Sequence, residues 1–417
     1  MAIRPRRAAG ALGLVGALLL GACGGDDGTD QAGTADSVAT ATTRRAGPTT
    51  TTTLAPATDP PPPSTTAPTT TPPPPPSTSP TTAPPARTFT GVPASARVEI
   101  VASGLAAPWD VAFAPDGRAF VGERDSGQLS VIEPNGVRRP LLRLPVANDG
   151  EAGLLGLAVS PGFATDGWLY AYTTTASDNR VVRVRPADGT TEVVLAGIPR
   201  ASIHDGGRIA FGPDGQLYVA TGDAAVPESA QDRSSLAGKV LRITPDGGVP
   251  AGNPFGNPVW ATGLRNVQGL AWDDQGRLWS TMFGPDRDDE LNLIRAGADY
   301  GWPVVTGDSG GRFADPALVL QPAEASPTGM TFVGGDSAWA GDLLFGALRG
   351  QRVWKATPTA DGGVVDVQPL FEGTFGRVRL VTQAPDGSLW LLTNNRDGRG
   401  APRPGDDLVV RITPPPG

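Results

Sequence analysis

Residues 209–223 read IAFGPDGQLYVATGD, and the order within them decides the fold: an apolar triplet, a turn of Gly, Pro and Asp, then an apolar and aromatic strand. Pro-Asp-Gly between two apolar runs is hairpin chemistry, so residues 209–211 are predicted to pair with 217–220 across Gly212-Pro213-Asp214-Gly215. The phrase recurs. VAFAPDGRAFVGE starts at Val111, LAVSPGFATDGWLYAY at Leu157, LAWDDQGRLWST at Leu270, MTFVGGDSAWAGDLLFGA at Met330 and LVTQAPDGSLWLLT at Leu380. Six copies at roughly 46 to 61 residue spacing identify a repeat architecture. A further strand closed by a turn follows the copies, as in SVIEPNG, VVRVRPADG, KVLRITPDG, RVWKATPTADG and VVRITPPPG. About four strands per copy make a propeller blade, and six blades in a ring leave few exposed edges. The expected class is therefore all-β, a six-bladed β-propeller over residues 89–417. RVEIVASGL, from Arg97, is expected to pair with the last blade and close the ring. No strong amphipathic helix stands between the strands, which argues against a doubly wound α/β sheet.

What precedes the repeats cannot fold in the same way. Residues 1–22 carry Arg4, Arg6 and Arg7, then an apolar run from Ala11 to Leu20, the pattern of a secretory signal peptide and too short for a membrane span. Leu20-Gly21-Ala22-Cys23 resembles the bacterial lipobox, in which Cys23 becomes the lipidated first residue of the mature chain. From Cys23 to residue 88 the chain is Thr, Pro, Ala, Ser and Gly with little to bury, hence a disordered stalk. Proline-rich chain rises about 3.1 Å per residue, so the stalk could reach on the order of 150 Å from a lipid anchor on the extracytoplasmic face of the membrane. Its Thr and Ser permit O-glycosylation. Cys23 is the sole cysteine, which leaves the folded domain without a disulfide, a Cys/His zinc site or a cysteine nucleophile. A net charge of −8 argues against nonspecific nucleic-acid binding, so any anionic ligand must meet a local group of arginines.

The chemistry concentrates in a few connections. His204, in SIHDGG, is the only histidine and the first candidate for proton transfer near neutral pH; the plain alternative is a loop imidazole that caps or packs. Asp223, at the end of the following hairpin, could fold back and orient it. The longer connections, 202–208, 223–238 and 283–303, are expected to crowd one mouth of the channel. Arg265, Asn266 and Gln268 precede the inner strand of the fourth blade, and Arg349 and the pair Arg377 and Arg379 are expected to lead into the fifth and sixth. Four arginines without clustered acids beside them suit a ligand bearing several carboxylates, which guanidinium forks match in shape. Gly284 and Pro285 stand beside Asp286, Asp288, Asp289 and Glu290, a set of hard oxygen donors that favours calcium, although the spacing is not that of an EF-hand and a solvated acidic turn would read alike. GDSGG at 307–311 copies the nucleophile motif of chymotrypsin-like proteases, but a single histidine in IHDGG and a sixfold repeat do not make that enzyme.

HDGGRIAFGPDGQLYVATGD, GKVLRI, GLRNVQGLAW, GPDRDDELNLIRAGADYGWP and GRVRLV, in this order, resemble the glucose/sorbosone dehydrogenase family, the soluble pyrroloquinoline-quinone (PQQ)-dependent sugar dehydrogenases, from about Arg97 to Pro414. The resemblance implies oxidation of a sugar substrate, His204 as general base and Asp223 as the group that orients it. It implies that Arg265 and Asn266 meet the reactive quinone oxygen, that Gln231 and Gln268 make further polar contacts, and that Arg349, Arg377 and Arg379 hold the cofactor's carboxylates. The carbonyls of Gly284 and Pro285 would bind the calcium that bridges the quinone, and Asp289, Glu290 and Tyr300 a second, structural calcium. Four positions depart from the family: Met282 replaces a glutamate, Glu151 a glutamine beside the cofactor, Ile203 an aspartate, and Arg349 a lysine. The electron acceptor is not specified by the sequence. A propeller that only binds carbohydrate or a protein partner is the rival reading, since the fold alone does not imply catalysis.

Overall fold

The structure is a computed structural model that describes residues 87–417. The signal peptide, Cys23 and almost all of the stalk lie outside the described residues. Within them the chain forms six four-stranded antiparallel sheets. Their inner strands are Pro108–Phe113, Leu154–Val159, Ile209–Phe211, Val267–Trp272, Pro327–Phe332 and Val378–Gln383, one for each copy of the repeated phrase. Arg97–Ala102 pairs with Val409–Thr413 as the outermost strand of the sixth blade, so the first strand of the domain closes the ring, as expected. Helix is confined to Phe163–Asp166 and a 3-10 turn at Pro227–Ala230 among the described residues.

The repeated letters are turn chemistry. Asp214 Oδ1 accepts the N–H of Gln216 at 3.1 Å, while Gly215 at φ 72° donates its own N–H to Gly212 O at 2.9 Å. Asp116 with Gly117, and Asp386 with Gly387, close the first and sixth blades with the same pair of bonds. A side chain with φ near 72° would be strained, and a non-acceptor in place of Asp would leave an N–H unmet; the tripeptide therefore persists. Nearer the axis, small residues matter for another reason. A Cβ on Gly156 would stand 2.3 Å from Gly207 O, and one on Gly269 would stand 2.5 Å from Thr328 O, so inner strands of neighbouring blades touch backbone to backbone.

Apolar side chains fill the wedges between blades. Trp279 is fully buried, its ring 6.2 Å from Phe332 of the next blade and its Nε1 donating to Asp273 Oδ2 at 2.9 Å. Trp279→Ala should lower the unfolding free energy by about 3–5 kcal/mol, because a large buried cavity is left and Asp273 loses one of its donors. Chemical denaturation measures this, and a loss under about 1 kcal/mol would contradict the packing described.

One connection differs from the sequence reading. Residues 283–303 are not a single mouth loop, since Asp289–Ile294 within them is the third strand of the fourth blade. That strand is buried along its whole length, so it lacks the polar alternation that announces a half-exposed strand. The long excursion comes later, over 295–317, and it brings Trp302 to the mouth. Ser309 of the GDSGG stretch sits in this excursion, bonded to Asp315, and takes no part in the site below.

Candidate active site

Antiparallel order places the start of every inner strand and the end of every second strand at the same end of the ring, and the polar connections gather there. His204 occupies the connection from the second blade into the third, with φ 61°, and its backbone is clamped on both sides: N donates to Glu151 Oε2 at 2.9 Å and O accepts from Ala224 N at 3.2 Å. Gly206, two residues on, lies where a Cβ would strike the Thr221 backbone at 2.5 Å, and its N–H reaches Asn266 Oδ1 at 3.1 Å. Hydrogen bonds to the main chain on both sides of His204 thus set the imidazole. Its Nδ1 meets Asp223 Oδ1 at 2.7 Å. Asp223 is fully buried and also accepts from Ala225 N at 3.0 Å and Trp302 Nε1 at 2.8 Å. A carboxylate receiving three donors orients Nδ1 as N–H, which leaves Nε2 as the nitrogen with a free lone pair. The side chain is 14% exposed.

Beside this dyad is a cavity of about 230 Å³ bordered by Trp109, Arg124, Glu151, Asp205, Gly206, Gln268, Phe283, Leu348, Arg379, Asp397 and Arg399, among others. Arg379 is its buried cation. Nη1 donates to Gln268 Oε1 at 2.9 Å and Nη2 to Asn394 Oδ1 at 3.4 Å, yet Nε has no partner among the described residues. Burial, with the like charges of Arg124 and Arg377 beside it, pushes the guanidinium down to about 9. Trp109 lies under it, 5.6 Å from ring to guanidinium, and also faces Arg208 at 4.2 Å, which is paired to Asp110 at 2.5 Å. A buried cation with a spare donor beside other cations is the complement of an anion. Arg265 lies nearer the dyad: Nη1 donates to Gly284 O at 2.8 Å, the guanidinium stands 5.3 Å from the Trp302 ring, and its buried Nε is also unpartnered among the described residues.

The sequence-predicted set is only partly assembled. His204, Asp223, Arg265, Asn266, Gln268, Glu151 and Arg379 do meet around the dyad and cavity. Glu151 shares Oε2 between His204 N and Asn266 Nδ2, and gives Oε1 to Arg399. Burial alone would raise Glu151, but the His204 N–H and Arg399 hold it below the usual carboxylate value. Arg377 is near, but the expectation of arginines free of acids fails there, since Nε and Nη2 both grip Asp397 Oδ2, at 3.0 and 2.7 Å. Gln231 braces the wall instead of bordering the cavity, its Nε2 donating to Asp299 Oδ1 and Trp302 O. Arg349 is exposed in the connection after the second strand Leu343–Ala347, not in the lead-in to the fifth blade, and its neighbour Leu348 borders the cavity.

The calcium donors do not converge. Gly284 O is taken by Arg265, Asp289 accepts from Gly284 N and Ser326 N, and Glu290 accepts from Asn292 Nδ2 and Gly307 N. Successive strand residues point to opposite faces, so Asp289 and Glu290 face different partners. The Tyr300 hydroxyl donates to Leu293 O at 2.6 Å, and Asp286 stands in solvent. Among the described residues no three His, Cys, Asp or Glu side chains are grouped to hold a metal. As arranged, the side chains of Asp289, Glu290 and Tyr300 do not gather around one ion.

Sequence reasoning missed Trp109, Arg124, Asp205, Arg208, Asp397, Arg399 and Trp302. Repeat register held a signal for one of them, Arg208. Asp110, Arg208 and Arg379 each stand immediately before the apolar triplet of their blade, the place from which an inner strand points at the axis.

A family model described as Glucose / Sorbosone dehydrogenase matches residues 105–408. The chain belongs to that family. A solved PQQ-bound aldose sugar dehydrogenase from Streptomyces coelicolor is 43% identical, with a TM-score of 0.72, and the match covers 79% of this chain and 99% of that one. An aldose sugar dehydrogenase of Escherichia coli is 32% identical over 343 residues, 73% of this chain and 92% of its own. A quinoprotein glucose dehydrogenase B of Acinetobacter calcoaceticus is 31% identical over 262 residues, 52% of this chain and 55% of its own. Membership supports an oxidoreductase.

Proposed function

We propose that the protein oxidises the C1 hydroxyl of an aldose to a lactone. Bound in the cavity, PQQ would supply a two-electron acceptor for the hydride from C1. The chain's own residues do the rest. His204 Nε2 takes the hydroxyl proton as C1–H is broken, so that the electron pair of the O–H bond becomes the second C–O bond. Asp223 keeps Nδ1–H directed away from the substrate and stabilises the imidazolium that forms. Arg265 and Asn266 face the dyad with donors, and Arg379, backed by Arg124, is the cation for the cofactor's carboxylates. The observation that carries this reading is the His204–Asp223 contact of 2.7 Å beside a cavity holding a buried, under-partnered guanidinium. A module that only binds a partner has no need of that pairing.

An aldose carrying deuterium at C1 tests the reaction. Its product should be the lactone without label, formed more slowly than from the unlabelled sugar in single turnover; label retained in the product would overturn the assignment.

The lipid anchor is a further part of the proposal. Cys23→Ser should move the protein from the membrane fraction to the soluble extracytoplasmic fraction, as fractionation and immunoblotting would show. An unchanged distribution would remove the anchor from the account.

A further inference from the structure

Asp205 borders the same cavity, and the reaction above makes no use of it. It is 1% exposed and held on three sides: Oδ1 accepts from Asn179 Nδ2 at 2.8 Å and from Ala201 N at 3.2 Å, and its carbonyl accepts from the Tyr172 hydroxyl at 2.9 Å. Oδ2 is buried and meets no hydrogen-bond donor among the described residues. The contrast with Glu151 is informative. Both oxygens of Glu151 are occupied by donors, so it is the fixed anion of the cavity. Asp205 has one oxygen satisfied and one with nothing to meet, an arrangement that favours a proton on the second.

The surrounding charges agree. Burial, opposed by Asn179 and Ala201 and assisted by the negative charge of Glu151, brings Asp205 up to about 6. Arg200 is the cation that opposes this; its Nη2 is bonded to Asp149, and its buried Nε meets no acceptor among the described residues. Tyr172, on the neighbouring strand, is held well above the usual phenol range by burial and so stays neutral. His204, adjacent in the chain, gives its ring N–H to Asp223. Arg124, Arg379 and Arg399 border the cavity but are bonded to Asp125, Gln268 and Glu151, not to Asp205. A polyanion placed among these groups would raise Asp205 further.

We propose that Asp205, buried at the border of the cavity with one oxygen unmet, becomes a neutral carboxylic acid when the cavity takes its anionic ligand, so that binding takes up a proton from water. The inference rests on the reading of the cavity as a PQQ site. In that site an ionised Asp205 would repel the cofactor, whereas the protonated form removes that repulsion without adding another cation.

The test is calorimetric titration of the purified domain with PQQ at pH 7.5, in two buffers of different ionisation enthalpy. Uptake of nearly one proton per quinone is expected, with affinity weakening about tenfold per pH unit between pH 6.5 and 8. Asp205→Asn puts an amide N–H₂ where Oδ2–H would be, and should bind with no uptake and a flat pH dependence. His204→Gln should keep the uptake, which separates Asp205 from the neighbouring imidazole. An independent readout needs no variant: quinone binding should bring up the infrared carbonyl stretch of a neutral carboxylic acid, at a frequency that shifts when the protein carries ¹³C-labelled aspartate. Binding without uptake, or uptake that persists in Asp205→Asn, would overturn this inference and leave the cofactor site standing. No saturable quinone binding at any of these pH values would overturn both.

Discussion

His204→Asn should lower turnover by about 10²–10⁴-fold while quinone affinity changes little, the usual worth of a positioned general base. The argument starts from the geometry: Nδ1 is consumed by a buried carboxylate at 2.7 Å, which leaves Nε2 as the acceptor for the substrate proton. Hydride does not leave C1 readily while the hydroxyl keeps its proton, and asparagine is not basic enough to take it. Asp223→Asn should act in the same direction but less, because it changes the orientation and tautomer of the ring and leaves a base in place. Steady-state kinetics with saturating quinone read both effects. A His204→Asn protein that turns over like the wild type would remove the proposed base.

The second large effect concerns the cofactor. Arg379→Ala should weaken PQQ binding by about 2–5 kcal/mol, or roughly 30- to 5,000-fold in Kd, since a buried charged partner of the ligand is removed. The substitution also leaves Gln268 Oε1 and Asn394 Oδ1 without their donor. Arg379→Lys keeps the charge without the fork and should fall between the two. Quenching of tryptophan fluorescence on quinone addition gives the affinities, with Trp109 as the nearest reporter, 5.6 Å from the guanidinium. Equal affinities for wild type and Arg379→Ala would show that the quinone binds elsewhere.

The propeller was legible because its information is local. Pro-Asp-Gly turns at one position of each repeat are set by neighbours two or three residues away, such as Asp214 and Gln216, and such contacts survive in a bare sequence. The dyad was legible for a different reason, as the only histidine of the chain narrows the choice to one. What the sequence hides is pairing at a distance. Arg377 and Asp397 are 20 residues apart and join across a hairpin, Trp302 reaches Asp223 over 79 residues, and Arg399 reaches Glu151 over 248. Nothing in composition or spacing joins those partners, which is why Arg377 read as free and Trp302 was passed over. The acidic run at 286–290 misled in the opposite direction: adjacent letters suggested one metal site, but the alternation of a strand sends Asp289 and Glu290 to different faces. Asp205 lay in plain view inside IHDGG, and only burial and an unmet oxygen distinguish it from an ordinary loop aspartate.

The central claim is that this propeller, with PQQ in its arginine-lined cavity, oxidises aldoses. Its most direct measurement is dye-linked oxidation of a panel of aldoses by the purified domain, before and after reconstitution with the quinone. The account predicts no dye reduction without quinone, and aldose-dependent reduction with it for at least one sugar of the panel. Stoichiometric quinone binding followed by no oxidation of any aldose would contradict it, and a binding propeller would then describe the molecule better.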